Sequence, residues 1–296
     1  MSEFLQQLLN GLSLGAIYAL IALGYTMVYG VLRFINFAHA DVFMVGAFIG
    51  YYMGRIIPEG TIWGGLVVLL AAMIGCSLLG IVIERLAYRP LRGAATLNVL
   101  ITAIGVSLLL EYSGQVFFGA APRTFPAVFP VKNFDLGGLV ISTNQLIVIV
   151  VAVLLMIALQ FIVHRTKIGT AMRAVSLNPK AAQLVGINND VVISFTFGLG
   201  SALAGAGGIL YALNYPSIDP LMGVMPGLKA FVAAILGGIG NIPGAALGGL
   251  ILGTVETFVN GSQWSTYKDA IAFAILITIL LFRPAGLLGK FTVEKV

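Results

Sequence analysis

The sequence predicts an all-α membrane protein whose chain crosses the bilayer several times. Hydrophobic residues make up 59% of the 296 residues, charged residues make up 9%, and the mean hydropathy is +1.03. A water-soluble domain carries about 25% charged residues, so this chain lacks the polar surface that such a domain needs. The uncharged stretches 64–83, 141–163, 191–218 and 230–255 each reach the roughly 20 residues that a transmembrane helix requires.

The apolar stretches predict helices, because the strands of a β-barrel would alternate apolar and polar residues over about ten positions. A helix also satisfies its backbone hydrogen bonds within its own segment, as lipid requires. We predict about nine hydrophobic helices in a single transmembrane domain that spans residues 1–296. They cover residues 4–29, 37–57, 62–83, 98–118, 144–163, 191–213, 228–239, 244–259 and 269–282. The seventh and ninth are short, so a re-entrant or broken segment is an alternative to a full crossing for each.

The distribution of Lys and Arg predicts the orientation of these helices, because cytoplasmic connections carry an excess of basic residues. One alternating set of connections holds eleven of the sixteen basic residues, namely Arg33, Arg85, Arg89, Arg92, Arg165, Lys167, Arg173, Lys180, Arg283, Lys290 and Lys295. The opposite set holds Arg55, Arg123, Lys132, Lys229 and Lys268. The N-terminus is therefore predicted outside and the C-terminus inside, in a bacterial inner membrane. The net charge of +5 then reflects topology and not nucleic-acid binding.

Glycine is abundant, with 37 residues, and it is densest in the runs 198–208 and 237–249. Small residues allow helix backbones to approach closely in lipid, so most of these glycines are expected at helix contacts. Within the second run, Pro243 and the surrounding glycines predict a break between two helices.

The connection of about 164–190 is predicted to be cytoplasmic and to contain a short helix, whereas the connection of about 120–143 forms a turn-rich periplasmic loop. Asn178 is suited to cap the start of this helix, and Pro179 is suited to its first position. Gly186 is suited to the left-handed residue that ends a helix. Because so short a helix is unstable in isolation, it must dock either on this protein's own helix ends or on a cytoplasmic partner.

The short helix presents a small apolar face beside a basic residue. The residues of the candidate docking surface are Arg173, Asn178, Pro179, Lys180, Ala181, Ala182, Leu184 and Gly186. Arg173 by itself is more simply interpreted as one of the basic residues that mark a cytoplasmic connection.

Polar residues inside apolar spans are costly in a membrane and often functional, and five of them are candidates for a translocation path. Asn36, His39 and Asp41 open the second segment, where Asn36 and His39 share a face at helical spacing. A His–Asp pair serves either as a proton relay or, more commonly, as hydrogen bonds between packed helices. Glu111 and Glu256 lie in the outer halves of their segments, where each meets either a substrate ammonium or the donors at a helix end.

Several function classes are excluded by motifs that the sequence lacks. It has no Walker-type phosphate-binding loop, so any ATP hydrolysis belongs to another polypeptide. His39 and His164 are far apart in the chain, and no group of residues has metal-ligand spacing, so we expect neither a metal nor another cofactor. No nucleophile–base set indicates an enzyme. The single cysteine, Cys76, excludes an intrachain disulfide.

Six stretches, in order along nearly the whole chain, resemble one known family. They are 10–30 (NGLSLGAIYALIALGYTMVYG), 35–41 (INFAHAD), 84–92 (ERLAYRPLR), 101–107 (ITAIGVS), 167–188 (KIGTAMRAVSLNPKAAQLVGIN) and 227–250 (GLKAFVAAILGGIGNIPGAALGGL). The chain is similar in these stretches to the LivH-type branched-chain amino-acid permeases of ABC transporters. The family usually has Gly-Glu after the histidine of the second segment, whereas this chain has Ala40-Asp41.

The resemblance implies a subunit that imports leucine, isoleucine or valine by alternating access, with a fold like that of vitamin-B12-type (type II) importers. It also implies a second, LivM-like permease, two cytoplasmic ATP-binding subunits and a periplasmic amino-acid-binding protein as partners in the lipid membrane. The helix within 178–186 would then couple the permease to an ATP-binding subunit. Urea or a short amide is an alternative substrate. A stand-alone channel or secondary transporter is the alternative from another class, and it predicts ion-coupling carboxylates at mid-membrane.

Overall fold

The computed structural model describes residues 2–135 and 137–289, and helices dominate it. The α-helices are α1 (Ser2–Leu32), α2 (His39–Gly54), α3 (Ile62–Ile83), α4 (Thr96–Phe118), α5 (Thr143–Arg165), α6 (Lys167–Leu177), α7 (Pro179–Leu184), α8 (Asn189–Asn214), α9 (Val224–Gly237), α10 (Ile242–Asn260) and α11 (Lys268–Phe282). The short strands are β1 (Arg123–Thr124), β2 (Asn133–Asp135), β3 (Val140–Ser142) and β4 (Ser217–Ile218). A π-helical turn (Glu84–Tyr88) and a 3-10 turn (Arg89–Leu91) follow α3, and another 3-10 turn (Ser265–Tyr267) precedes α11. Lys290 and Lys295, which entered the orientation count, lie outside the described residues.

Each of the nine predicted hydrophobic segments coincides with an α-helix of the described chain. Among the described residues, seven helices are long and apolar enough to cross a bilayer, namely α1, α3, α4, α5, α8, α10 and α11, with α3 and α11 extended by their flanking turns. Helix α2 has 16 residues and α9 has 14. At 1.5 Å per residue, α9 is about 21 Å long, which is shorter than the hydrocarbon core of about 30 Å. The number of full crossings and the orientation therefore stay predictions.

The two long connections contain more regular structure than the sequence predicted. At the inner loop, α6 precedes the expected short helix, and Thr166 caps α6 by accepting a hydrogen bond from the Gly169 N–H (3.1 Å). In the loop 119–142, β2 and β3 form an antiparallel hairpin, and β1 pairs with β4. Strands of two or three residues are too short to produce a detectable sequence pattern. The fold is thus helical with two small strand pairs in the described loops.

Helix α1 lies at the centre of the bundle, where its residues 13–28 are all buried. It packs most extensively against α10, and also against α8, α9 and α5. A Cβ placed on Gly253 of α10 would lie 2.3 Å from the Gly15 Cα of α1, and one on Gly15 would lie 2.8 Å from the Leu250 Cα. Since non-bonded atoms do not approach so closely, glycine is required at this crossing. The two backbones are therefore in direct contact, as small residues permit in lipid.

The glycine run 198–208 of α8 makes the same kind of contact with α2 and α3. A Cβ on Gly208 would lie 2.2 Å from the Phe43 carbonyl oxygen of α2, and one on Gly205 would lie 2.8 Å from the Cys76 Sγ of α3. The predicted role of the glycines in close helix packing is confirmed. The predicted helix break is also present, between α9 and α10.

The connections lie at two ends of the bundle, which we call the outer end and the inner end after the predicted orientation. At the outer end, the Gln6 side chain near the start of α1 donates to the Val140 carbonyl (3.0 Å). At the inner end, the Ser176 hydroxyl of α6 donates to the Gly30 carbonyl near the end of α1. The loops predicted to be periplasmic and cytoplasmic thus lie at opposite ends of the molecule.

One residue of the orientation count does not lie in a connection. Lys229 is inside α9 and is only 4% exposed. The sequence placed it at the boundary of a helix, but α9 begins five residues earlier, at Val224. Removing Lys229 leaves four basic residues in the outer set against eleven in the inner set, so the predicted orientation is unchanged.

Candidate functional site

A cavity of about 550 Å³ lies among the helices at the outer end. Its walls come from α1, α5, α8, α9, α10 and the start of α11, and most of the lining side chains are polar. They include Asn10, Ser13, Tyr18, Asn144, Gln145, Asn214, Lys229, Glu256, Thr257, Lys268 and Asp269. The volume is in the range of roughly 300–1,000 Å³ that is typical of small-molecule sites.

Three charged side chains meet in the wall of this cavity, and we call them the outer cluster: Lys229, Glu256 and Asp269. The Lys229 Nζ of α9 lies 2.5 Å from the Glu256 Oε1 of α10 and 2.6 Å from the Asp269 Oδ1 of α11. The Tyr18 hydroxyl of α1 donates to the Glu256 Oε2 (2.9 Å). Side chains from four helices therefore form one connected network, in which Tyr18 and Lys229 contact Glu256 and Lys229 also contacts Asp269.

The outer cluster is partly withdrawn from water. The Lys229 and Glu256 side chains are buried, whereas the Asp269 side chain is 41% exposed. Removing two charges from water offsets much of the attraction between them, so a buried ion pair is a poor way to stabilise a fold. Ionisable residues inside a membrane protein are rare and tend to mark substrate or ion pathways. The outer cluster is accordingly the main candidate for a functional site.

Neutral hydrogen-bonding groups complete the polar lining. The Gln145 amide of α5 donates to the Asn10 Oδ1 of α1 (2.7 Å), and the Asn214 amide of α8 donates to the Ser13 hydroxyl (2.9 Å). These bonds tie α5 and α8 to the central helix beside the cavity. Within the described residues, no group of three or more His, Cys, Asp or Glu side chains is arranged to hold a metal ion.

Of the five predicted path residues, Glu256 lines the cavity and the other four lie elsewhere. Asp41 of α2 is buried and accepts a hydrogen bond from the Ser107 hydroxyl of α4 (2.5 Å). Glu111 lies one turn beyond Ser107 on α4. The Asp41–Ser107 hydrogen bond therefore connects α2 with α4, and neither Asp41 nor Glu111 contributes to the lining of the cavity.

Asn36 and His39 do not share a helical face, because α2 begins at His39 and Asn36 precedes it. The Asn36 Oδ1 accepts a hydrogen bond from the Tyr88 hydroxyl (2.6 Å). The His39 ring packs edge-on against Tyr25 of α1, with 4.7 Å between the ring centroids. His39 thus faces α1 while Asp41 faces α4, and the arrangement favours contacts between packed helices over a His–Asp proton relay.

The predicted short helix is present as α7, with the predicted capping residues. The Asn178 Oδ1 accepts a hydrogen bond from the Ala181 N–H (3.0 Å), and Pro179 occupies the first helical position. Gly186 has a φ of +87°, and its N–H donates to the Gln183 carbonyl (3.0 Å). This left-handed glycine ends the helix as the sequence indicated.

The exposed apolar face of α7 differs from the predicted one. Leu184 and Val185 are 89% and 77% exposed, and Leu177 at the end of α6 is 82% exposed. Ala182 is only 3% exposed, so its placement on the docking surface is corrected. A helix of six residues that rests on α6 and α8 must turn one side toward them, and Ala182 lies on that side. We call Leu177, Leu184 and Val185 the inner tip.

The two predicted basic residues of the docking surface behave differently. The Arg173 guanidinium of α6 donates to the Val163 carbonyl near the end of α5 and to the Thr170 hydroxyl (3.3 Å). It therefore satisfies a free carbonyl at a helix C-terminus, where a cation is favoured. Lys180 of α7 is exposed.

A second group of charges lies at the inner end, and we call it the inner cluster: Glu84, Arg89, Arg92 and Asp190. The Arg89 Nη2 lies 3.3 Å from the Glu84 Oε2, and Arg92 contacts both Glu84 and Asp190. The Ser194 hydroxyl of α8 also donates to the Glu84 Oε2 (2.6 Å). The inner cluster joins the turns after α3 to the first turns of α8.

Residues 7–280 match the protein family described as "Branched-chain amino acid transport system / permease component". The chain belongs to this permease family. The permease is 44% identical over 303 residues to "High-affinity branched-chain amino acid transport system permease protein BraD" of Pseudomonas aeruginosa, which covers 99% of this chain and 98% of the relative. It is 42% identical over 304 residues to the corresponding LivH protein of Escherichia coli K12, with the same coverage. The family resemblance predicted from the sequence motifs is confirmed.

The fold of the permease is shared with a chain of known structure. A chain of "PsaBC from Streptococcus pneumoniae in complex with Fab" superposes with a TM-score of 0.50 and 13% sequence identity, covering 95% of the permease and 92% of that chain. At this identity the similarity concerns the fold alone. Together with its seven apolar helices, family membership makes the permease a multi-pass inner-membrane protein.

Lys229 and Asp269 are functional candidates that sequence reasoning missed in the permease. Both lie on helices other than the one that carries Glu256, and hydropathy does not determine how helices turn toward each other. A signal was nevertheless present, because Lys229 is a basic residue in a stretch that is otherwise apolar. A lysine is almost never fully buried unless it is paired, so its position called for a carboxylate partner on a neighbouring helix.

Proposed function

We propose that this permease is the membrane-spanning subunit of an ATP-driven importer for leucine, isoleucine and valine. The observation that carries the proposal is similarity over 99% of the chain to BraD and LivH, which are both named for high-affinity branched-chain amino acid transport. In the proposed complex, two cytoplasmic ATP-binding subunits hydrolyse ATP, and a LivM-like permease completes a type II membrane assembly. A periplasmic binding protein delivers the amino acid at the outer end.

The shape of the interior supports transport by alternating access. The outer end holds the cavity of about 550 Å³. Toward the inner end, the Phe231 ring packs against Tyr25 and Phe37, with ring centroids 5.9 and 6.1 Å apart. The pocket beside these rings has only about 10 Å³, which is barely enough for one water molecule. The cavity at the outer end is thus large enough for an amino acid and the pocket beside Phe231 is not, which supports a transport step in which the helices move.

The inner tip is the proposed docking surface for an ATP-binding subunit. Leu177, Leu184 and Val185 are apolar and exposed, and clustered exposed apolar residues mark interaction surfaces. Lys180 and Ala181 are exposed beside them and belong to the proposed contact set. Because α8 follows α7 closely and lines the cavity at its other end, a displacement of the tip is transmitted toward the cavity along one rigid helix.

The proposal is tested with Leu184→Arg in the complex purified with its partner subunits and reconstituted in liposomes. A bulky charge at the centre of an apolar contact should reduce ATP hydrolysis and leucine uptake by at least about tenfold, the factor equivalent to about 1.4 kcal/mol. Leu184→Met is the matched control, because it keeps an apolar side chain of similar size, and it should retain both activities.

Three outcomes would contradict the proposal in different ways. Normal ATP-driven uptake by Leu184→Arg would exclude the inner tip as the coupling surface. Leucine uptake by the wild-type permease without any ATP-binding subunit would indicate a channel or a secondary transporter. Uptake of urea in place of leucine by the wild-type complex would identify a short-amide importer.

A further inference from the structure

We propose that the outer cluster of Lys229, Glu256 and Asp269 binds the ammonium and carboxylate groups of a free α-amino acid in transit. This inference rests on the proposed function and adds to it the residues that meet the substrate. An α-amino acid is a zwitterion at neutral pH, and both of its charges must leave bulk water on the way through a membrane. The outer cluster places charges of both signs beside a cavity where a small molecule fits.

The distances within the outer cluster allow its charges to be shared with a substrate. The Lys229 Nζ lies between two carboxylates, 2.5 Å from Glu256 and 2.6 Å from Asp269. A substrate ammonium can replace the lysine at Asp269, which is the more exposed of the two acids. Lysine has three N–H donors on a flexible side chain. Lys229 can therefore keep its contact with Glu256 and donate a freed N–H to the substrate carboxylate. The Tyr18 hydroxyl holds Glu256 in place during this exchange.

The formal charge of the cavity lining suits a zwitterion. The charged residues of the lining are Lys229, Lys268, Glu256 and Asp269, so two positive charges balance two negative ones. A lining with an excess of either sign would attract inorganic ions of the opposite sign along the field. A balanced lining with separated charges instead offers one partner to each end of a dipolar molecule.

The same cavity offers apolar surface for an aliphatic side chain. Leu14, Leu213 and Met225 line it together with the polar residues. Contacts of this kind distinguish poorly between leucine, isoleucine and valine, since one methylene in a hydrophobic pocket changes specificity by only about 10–200-fold. The site is therefore expected to recognise the charged groups common to all amino acids and to accept several aliphatic side chains. Urea carries neither charge and therefore cannot form an ion pair with either sign of charge in the outer cluster.

A variant can separate substrate binding from a structural role of the ion pair. Lys229→Met alone leaves two carboxylates without their cation and is expected to misfold in part, because stranding a buried charge is strongly destabilising. The double variant Lys229→Met/Glu256→Gln removes the buried ion pair and leaves the Tyr18 hydroxyl a neutral partner. Asp269 also loses its cation, but its side chain is 41% exposed and can be solvated by water. Replacing both partners of a buried pair by neutral groups is often neutral for stability. If the ion pair is only structural, the double variant should therefore transport leucine normally. If the pair binds the substrate, the double variant should lose leucine transport.

The measurement is leucine transported per ATP hydrolysed, in proteoliposomes that contain the complete complex and its binding protein. The double variant should assemble and show binding-protein-stimulated ATP hydrolysis, but its leucine per ATP should fall by at least about tenfold, as expected for lost charged hydrogen bonds. Thr254→Val removes a hydroxyl of the same helix, which donates to the Leu250 carbonyl (2.7 Å) and is not among the lining residues of the cavity, and it is the matched control, with leucine per ATP unchanged. A wild-type ratio in the double variant would overturn the site and leave the importer assignment intact. Absence of branched-chain amino acid uptake by the wild-type complex would overturn both.

A second measurement needs no variant and so does not depend on correct folding of a mutant. A leucine analogue that carries a photoreactive diazirine in its side chain is supplied to the wild-type complex with its binding protein and is then irradiated. Peptides that carry the apolar lining residues Leu14, Leu213 and Met225 should be labelled, and excess leucine should suppress the labelling. Labelling confined to other parts of the permease would overturn the proposed site.

Discussion

At the scale of single residues, Gly253 shows how a missing side chain determines the distance between two transmembrane helices. A Cβ at this position would lie 2.3 Å from the Gly15 backbone. Because the obstacle is backbone and not the end of a flexible side chain, α10 would have to shift away from α1 as a unit. Glu256 lies three residues further along α10, so the same contact sets its distance from Tyr18 on α1.

We expect Gly253→Ala to destabilise the permease by about 1–3 kcal/mol, as overpacking of a close contact generally does. The measurement is the midpoint of thermal unfolding of the purified protein in detergent. Gly105→Ala on α4 is the matched control, because no atom of the described residues outside the immediate chain lies within 4 Å of its added Cβ. Equal unfolding midpoints for the two variants would show that α1 and α10 are not in direct backbone contact.

At the scale of secondary-structure elements, the inner cluster joins α3 to α8 through the turns that follow α3. Glu84 is fully buried and receives the Ser194 hydroxyl of α8 as well as two arginines. Asp190, in the first turn of α8, contacts Arg92 from the other side. Helix α8 starts just after α7, the proposed docking helix. The inner cluster therefore connects the end of α8 near the inner tip with α3.

We expect Glu84→Gln to lower the free energy of unfolding by about 1–3 kcal/mol, the usual consequence of removing a charged partner from a buried hydrogen-bond network. Partial exposure of Arg89 and Arg92 keeps the effect below that of a fully buried pair. Glu59→Gln changes an exposed carboxylate and should have an effect within about 0.5 kcal/mol. The fraction of each variant that stays folded after a series of heating steps measures the effect of each substitution on stability. If Glu84→Gln stays folded to the same extent as the wild-type permease, the network does not stabilise the fold.

At the scale of the whole molecule, the sequence predicted where the helices lie but not how they face each other. Apolar length and capping residues are local signals, so the hydrophobic segments and α7 were predictable. Burial depends on neighbours that are distant in the chain, which explains the errors at Ala182 and Lys229. For the same reason Glu256 was recognised as a candidate, whereas Asp269, which contacts Lys229 as Glu256 does, was found only when α9 and α11 were brought together.

The orientation of the bundle also belongs to this scale, and it can be tested by labelling. Val131→Cys lies in the loop of the outer end and Leu184→Cys lies at the inner tip, and both positions are exposed. In right-side-out vesicles a membrane-impermeant maleimide should label Val131→Cys alone, and in inside-out vesicles Leu184→Cys alone. The native Cys76 is fully buried, so the unaltered permease should stay unlabelled. The reverse pattern would invert the predicted topology.

The short α9 has a consequence for how the protein is made. A single lysine near the centre of a segment raises the free energy of its insertion by about 2.5–3.5 kcal/mol, and α9 has only 14 residues to compensate for Lys229. Helix α10 follows after a turn of four residues and carries Glu256, the partner of that lysine. A nascent hairpin of the two helices brings the opposite charges into the bilayer already neutralised. We therefore expect α9 to enter the lipid during biosynthesis together with α10, and not as an individual helix.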